Sequence, residues 1–184
     1  MTPDVMLLDV LSERDARAVA RWRYPPPYDC YDAPPWSRMQ REGWALCDGE
    51  TRRAQFRALR PVTATASGTW CDPAGYVRFR PAEDRLVLHL GLRPDLCGQG
   101  VARAFLPLVV AEARSRARDG SVTLQVRAFN GRAITAYRRV GFRLVDTDGT
   151  PDDAPAAGDG KRLLTMVLGD DDLPAAQASD TRSR

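Results

Sequence analysis

A chain of 184 residues with 43% hydrophobic content can bury the core of one sizeable domain and requires no second one. Its formal net charge of +3 is small, and the basic residues lie among acids instead of forming blocks, so no nucleic acid is expected as a partner. Residues 1–10 carry acids at Asp4 and Asp9 and no long apolar run, so neither a signal peptide nor a membrane anchor is expected and the cytoplasm is the default location. The cysteines Cys30, Cys47, Cys71 and Cys97 form no C-x-x-C pair, and His89 is the only histidine. Neither a disulfide framework nor a metal site is indicated.

Residues 6–10 form a short apolar run suited to a first strand, and Ser12 with Asp15 three residues on can cap a helix that ends near Tyr24, with Ala16, Val19 and Ala20 on its apolar face. Residues 24–36 hold five prolines, three tyrosines and a tryptophan, which forbid a regular helix and offer large amphipathic surfaces. This stiff loop serves either as a connector packed on the core or as a wall of an acceptor pocket, where Tyr24, Tyr28, Asp29 and Tyr31 would bind substrate. Asp29 and Asp32 would there favour a cationic amine.

A second helix is expected over 37–47, with Met39, Trp44 and Cys47 as its apolar contacts, before a G-E-T-R-R turn near Gly49. Strands are expected over 54–59, 61–65 and 76–79 as an antiparallel meander with turns at Ser67-Gly68 and 72–75, and over 85–92, the strongest strand signal. Apolar residues at Val101, Phe105, Leu108, Val109 and Ala113 give one face of a long helix reaching about residue 118, interrupted by Pro107. Residues 122–126 alternate as a strand, Asn130 can cap a helix over 132–140 that stops at Gly141, and 142–145 with 163–168 make a last pair of strands. The polar loop 149–160 separates that pair. Residues 170–184 are polar and small and read as a disordered tail after a single domain over 1–169.

The stretch G-L-R-P-D-L-C-G-Q-G-V-A, residues 91–102, joins the strongest strand to the long helix. A helix start presents free N–H groups and the positive end of the macrodipole, and glycines at 98 and 100 permit a phosphate-cradling nest. Glycine-rich turns before helices also arise from plain turn chemistry, and the spacing alone leaves both open.

The order strand, glycine turn, long helix, strand, Asn, short helix, Tyr, Gly-Phe resembles the second half of the GNAT superfamily of acyl-CoA-dependent N-acetyltransferases, over roughly residues 86–168. The family's motif Q/R-x-x-G-x-G/A is matched by Cys97, Gly98, Gln99, Gly100, Val101 and Ala102, with Cys97 where the family has Gln or Arg. A second motif, N-x-x-A-I-x-x-Y-x-x-x-G-F, runs from Asn130 through Ala133, Ile134 and Tyr137 to Gly141 and Phe142. Trp22, Tyr24, Tyr28 and Tyr31 also resemble a W-x-Y…P-Y-x-x-Y stretch of a bacterial subgroup.

The resemblance implies an α/β (α+β) domain with a mixed, mostly antiparallel central sheet of six to seven strands flanked by about four helices. It implies acetyl-CoA as cofactor, held by Leu90, Gly91 and Leu92 along the strand, by residues 97–102 and Arg103 at the turn, and by Asn130, Ala133 and Tyr137 opposite. It further implies direct transfer of an acetyl group to a primary amine, on a small molecule or a protein, in a ternary complex, with no covalent acyl-enzyme. A non-catalytic acyl-CoA-binding or regulatory domain of the same fold is the alternative, and family members are often homodimers. Tyr137 resembles the general acid that protonates the leaving thiolate, although a tyrosine packed on the core would occupy the same position. For the general base, Asp84 matches by count the acid of the histone-acetylating branch and could equally be a turn acid. His89 is the side chain whose reference pKa is near neutrality, on the strand bordering the site, where strand alternation could equally aim it into the core or at the opposite face. A water relay is the third possibility.

Overall fold

In a computed structural model, residues 6–61, 72–117, 120–145 and 162–169 are described, and they hold seven strands and five α-helices around one sheet. The chain runs β1 (Met6–Val10), α1 (Glu13–Ala20), α2 (Trp36–Arg41), α3 (Gly49–Gln55), β2 (Phe56–Pro61), β3 (Gly75–Pro81) and β4 (Arg85–Leu92). It continues through α4 (Ala102–Ala117), β5 (Ser121–Arg127), α5 (Gly131–Arg138), β6 (Phe142–Val145) and β7 (Leu163–Leu168). The strand order is β1-β2-β3-β4-β5-β7-β6, antiparallel throughout except for the central β4–β5 pair. The mixed sheet and its topology match the expected architecture, with one helix more than expected.

The difference lies over residues 36–55, where one helix over 37–47 and a turn near Gly49 are expected and two helices form. Helix α2 stops at Arg41 because Gly43, at φ 69°, takes the left-handed turn, and the Trp44 and Gly43 N–H groups bond back to the Met39 and Gln40 carbonyls at 3.0 and 3.2 Å. This Schellman stop exploits glycine's freedom at positive φ. Met39 is buried as expected, whereas Trp44 is 42% exposed. The G-E-T-R-R segment then forms α3, because Asp48 caps it by accepting the Thr51 N–H at 2.7 Å. Consequently Ala54 and Gln55 are helical, and β2 begins at Phe56. The expected strand over 61–65 lies outside the described residues after Pro61, as do the turn at 67–68, the loop 149–160 and the tail.

Side chains alternate across the sheet as the two-residue period of a strand demands. Leu59, Val77, Phe79 and Leu88 join the larger core with α4, which supplies Phe105, Leu106, Val109, Val110 and Ala113. Leu108, expected on that face, is 37% exposed, since the buried stripe rotates to 105, 106, 109, 110 and 113. Phe56 and Ala58 turn to the opposite face, where they pack with Leu11 and Ala16 and against Trp36, Ala45, Leu46 and Tyr76. Helix α1 is fixed to the sheet by Asp15. Its carboxylate accepts from the Ser12 N–H and hydroxyl, completing the capping box, and at 2.7 Å from the Arg60 guanidinium of β2, while its own side chain is fully buried. Such a pair is hard to break singly, because the remaining charge would stay buried.

Candidate active site

Strands β4 and β5 are paired only from Arg85↔Ser121 to Leu88↔Leu124, yet β4 continues to Leu92 and β5 to Arg127. Beyond Leu88 the two strands part, and the β5-facing edge of Leu90, Gly91 and Leu92 has no strand partner among the described residues. Into this opening fits a cavity of about 900 Å³. It is bordered by the turn residues Cys97, Gly98 and Gly100–Arg103, and across from them by Asn130, Arg132, Ala133 and Tyr137 of the α5 segment.

The glycine turn has the form an anion cradle requires. Gly98 and Gly100 sit at φ 80° and 76°, in the left-handed region that side chains with a Cβ disfavour. At Gly100 the constraint is conformation and not space, since nothing lies within 4 Å of where a Cβ would be. The N–H groups of Gly98, Gly100 and Val101 donate to no other described residue, while those of Cys97 and Gln99 close back on Pro94 and Leu96. The Gln99 side chain turns away from the cavity to donate to the Asp95 carbonyl at 2.6 Å. Cys97 faces the cavity with its thiol near the Leu92 and Arg93 carbonyls. Burial pushes that thiol up, against the opposing pull of Arg132.

Arg132 is the contributor that motif reading passes over. From the first turn of α5 its guanidinium stacks 4.2 Å from the Tyr28 ring centroid, and a terminal nitrogen comes within 3.9 Å of the position a Gly98 Cβ would take. A cation therefore stands at the glycine turn although Cys97 occupies the place of the family's Gln or Arg. The strand count in the sequence cannot show this, because only the fold brings α5 back to the turn.

The proline-rich loop closes the cavity from above. The Tyr24 hydroxyl donates to the Leu92 carbonyl at 2.7 Å, and the Tyr31 hydroxyl accepts from Asn130 Nδ2 at 3.2 Å. Asn130 meanwhile caps α5 by accepting the Ala133 N–H at 3.3 Å, so both ends of its amide are engaged. The loop is thus a wall pinned at two points, to β4 and to α5, with a short 3₁₀ turn over Tyr28–Tyr31 between them. Tyr28 lines the cavity with the other two, while Asp29 is exposed and does not line it.

Tyr137 projects from α5 with its ring edge-on to Phe142 at 6.0 Å. Its hydroxyl makes no hydrogen bond to another described residue, and it lines the cavity. Desolvation first, then the neighbouring Tyr31 and Tyr76 phenols, hold its pKa far above the ordinary tyrosine value. Tyr76, unremarked in the sequence, lies on β3 opposite Gly91, and a Cβ on Gly91 would come within 2.5 Å of its ring. The glycine therefore leaves room for this ring against β4 where the strands part.

The two candidate bases are separated. Asp84 precedes β4 at its other end, with its carboxylate 78% exposed and 3.7 Å from Arg85. Seven residues of strand put it roughly 20 Å from Gly91. His89 does not face the main cavity. It pairs across the strands with Arg78 and lines an adjoining cavity that shares Tyr24, Tyr31 and Tyr76 with the first. His89 is exposed at the strand surface, and partial desolvation in the cavity wall, then Arg78 and Arg80, lower its pKa below the ordinary histidine value.

Comparison with known proteins agrees with this geometry. Residues 17–142 match the model of the acetyltransferase (GNAT) family. A mycothiol acetyltransferase of Saccharomonospora viridis is 31% identical over 127 residues, covering 67% of this chain and 39% of that protein, so the chain spans about two fifths of its length. Among solved structures, yncA of Salmonella typhimurium with its cofactor acetyl-CoA superposes with a TM-score of 0.59 at 19% identity, covering 95% of this chain and 99% of that one. The ribosomal-protein-S18-alanine N-acetyltransferase of Escherichia coli gives 0.58 at 20% identity, over 89% and 93%. These two likenesses concern the fold. Taken with the family match over most of the chain, they accord with the parted strands and the glycine turn: the protein belongs to the GNAT family of acetyltransferases, whose cofactor is acetyl-CoA.

Proposed function

We propose that the chain is an N-acetyltransferase that moves an acetyl group from acetyl-CoA to a primary amine by direct attack in a ternary complex. The observation that carries this reading is the parting of β4 from β5 into a cavity that joins an unpartnered nest of N–H groups to an unbonded phenol, Tyr137. A nest of this kind suits a pyrophosphate, and an open strand edge suits an amide-bearing arm. Bound acetyl-CoA supplies the activated thioester. Gly98, Gly100 and Val101 would hold its phosphates through backbone N–H groups, with Arg132 adding charge from α5, and Leu90–Leu92 would align its arm. Cys97, protonated and set at the phosphate turn, takes no nucleophilic part.

Tyr137 gives its hydroxyl proton to the departing sulfur. Its raised pKa keeps it protonated throughout the physiological range, as an acid must be before it acts. His89, held neutral by its lowered pKa, accepts the proton that the nitrogen loses as the amide bond forms. Asp84 keeps the turn role its exposure suits. No helix of the described residues is long and apolar enough to cross a membrane, and a cytoplasmic location remains part of this reading.

The test is release of free CoA thiol from acetyl-CoA across a panel of amines, with each product identified by mass. An acetylated amine formed with one thiol per product is the expected result. Thermal stabilisation by CoA without turnover of any amine would instead identify a binding domain.

A further inference from the structure

Beside the main cleft, and sharing Tyr24, Tyr31 and Tyr76 with it, lies a second cavity of about 560 Å³. Its walls are aromatic, with Trp22, Trp44 and Phe56, and it is also lined by the charged Asp32, Glu42 and Arg78 and by the neutral His89. Those charges are unequally matched. Asp32 accepts the Tyr24 N–H at 2.9 Å and lies 3.9 Å from Arg23. Glu42 accepts from Arg38 at 2.6 Å and from Trp44 Nε1 at 2.8 Å.

Among the described residues no carboxylate pairs with Arg78. Its Nε donates to the uncharged Gln55 Oε1 at 2.8 Å, and the guanidinium stands 5.3 Å from the Phe56 ring centroid. Its terminal nitrogens bond to no described residue. The guanidinium is therefore oriented by one bond and one ring, with its outer edge left for a planar anion. Burial and the nearby Arg80 both lower its pKa, as befits a cation without a nearby acid, and the guanidinium remains charged. A carboxylate is the planar group that two parallel guanidinium N–H groups fit best.

Resting on the acetyltransferase reading, we propose that this second cavity receives the acceptor and that the acceptor is an amine carrying both a carboxylate and an apolar group, as an apolar amino acid does. Arg78 binds the carboxylate, the aromatic walls take the apolar group, and the amine meets the main cleft at Tyr76 and His89. A polycation finds no unmatched acid here.

The experiment compares phenylalanine, phenylalaninamide and spermidine as acceptors, by thiol release, in the wild type and in Arg78→Met and Arg78→Lys. Phenylalanine should exceed its amide in kcat/KM by 10-fold or more, and spermidine further still. Arg78→Met should collapse that preference to about one, and Arg78→Lys should keep part of it, while stabilisation by CoA shows that both variants fold. Equal or better use of the amide or of spermidine, or an undiminished preference in Arg78→Met, overturns the proposal. If no amine is turned over, the acetyltransferase reading fails separately, and calorimetry with N-acetylphenylalanine and CoA decides the site: Arg78-dependent binding sustains it, and absent binding overturns it.

Discussion

The two halves of the cleft are made of different material. On the cofactor side, β4, the glycine turn and α5 act chiefly through backbone: parted strand edges, left-handed glycines and unpartnered N–H groups. On the side proposed for the acceptor, the loop from Tyr24 to Trp36 and one face of β3 offer side chains instead, with phenols, indoles and a guanidinium. A backbone site constrains the sequence only where a Cβ or a positive φ would spoil it, so it tolerates Cys97 in place of a polar side chain. A side-chain site depends on each residue, and its chemistry changes with each substitution. The Tyr24–Leu92 and Tyr31–Asn130 bonds join the halves, so the acceptor wall is held by the cofactor side.

The largest effect is expected at Tyr137, the side chain on the cofactor half given the proton transfer. Tyr137→Phe removes the proton donor and keeps the ring on Phe142, so kcat should fall by about 10²–10⁴-fold, the usual yield of general acid catalysis. Stabilisation by CoA should stay as in the wild type. An unchanged kcat across the full pH range would show the hydroxyl to be packing only, and Arg132 would then be the one side chain of the cofactor half left with a proposed role.

How far each half is legible in the sequence follows from the same difference. Strands β4, β6 and β7, the cap at Asn130 and the glycine turn are read directly, because periodicity, capping chemistry and glycine spacing are local signals. Helix α3 is missed because G-E-T-R-R carries no apolar stripe, and the Asp48 cap decides it; the single helix over 37–47 fails because Gly43 works as a stop. Tyr76, Arg78 and Arg132 are hidden for another reason. Each is ordinary in its own segment and acquires a role only from register: Tyr76 opposite Gly91, Arg78 opposite His89, and α5 folded back onto residue 98. The count that matches Asp84 to a base runs along the strand to its far end, where the side chain is solvated.

Arg132 offers a smaller test of whether the cofactor half is backbone alone. Removing one charge-assisted contact to a phosphate in Arg132→Ala should weaken CoA binding about 10-fold, measured by calorimetry at fixed salt. Cys97→Arg in that background places a guanidinium where the family's motif has one, and should recover part of the loss. If Arg132→Ala binds CoA as tightly as the wild type, the three free N–H groups suffice and the cation near Gly98 serves only to stack on Tyr28.

The smallest effect belongs to the acceptor half and concerns pH. His89 faces Arg78 and Arg80 from β3, Tyr76 beside it, and Tyr24, Cys30, Tyr31, Asp32 and Glu42 across the second cavity. Its lowered pKa means that the neutral, proton-accepting form persists below the ordinary value of about 6.5, so activity should fall only as pH drops through that lower value. Arg80 does not line the cavity, yet its charge contributes to the depression. Arg80→Met should therefore raise the His89 pKa and carry the acid limb of kcat/KM upward by less than about one unit, with the plateau unchanged. In His89→Gln that limb should vanish and the rate should follow the ionisation of the amine itself, rising tenfold per pH unit. A wild-type profile already of that form would assign the proton to ordered water and leave His89 as a wall of the acceptor cavity.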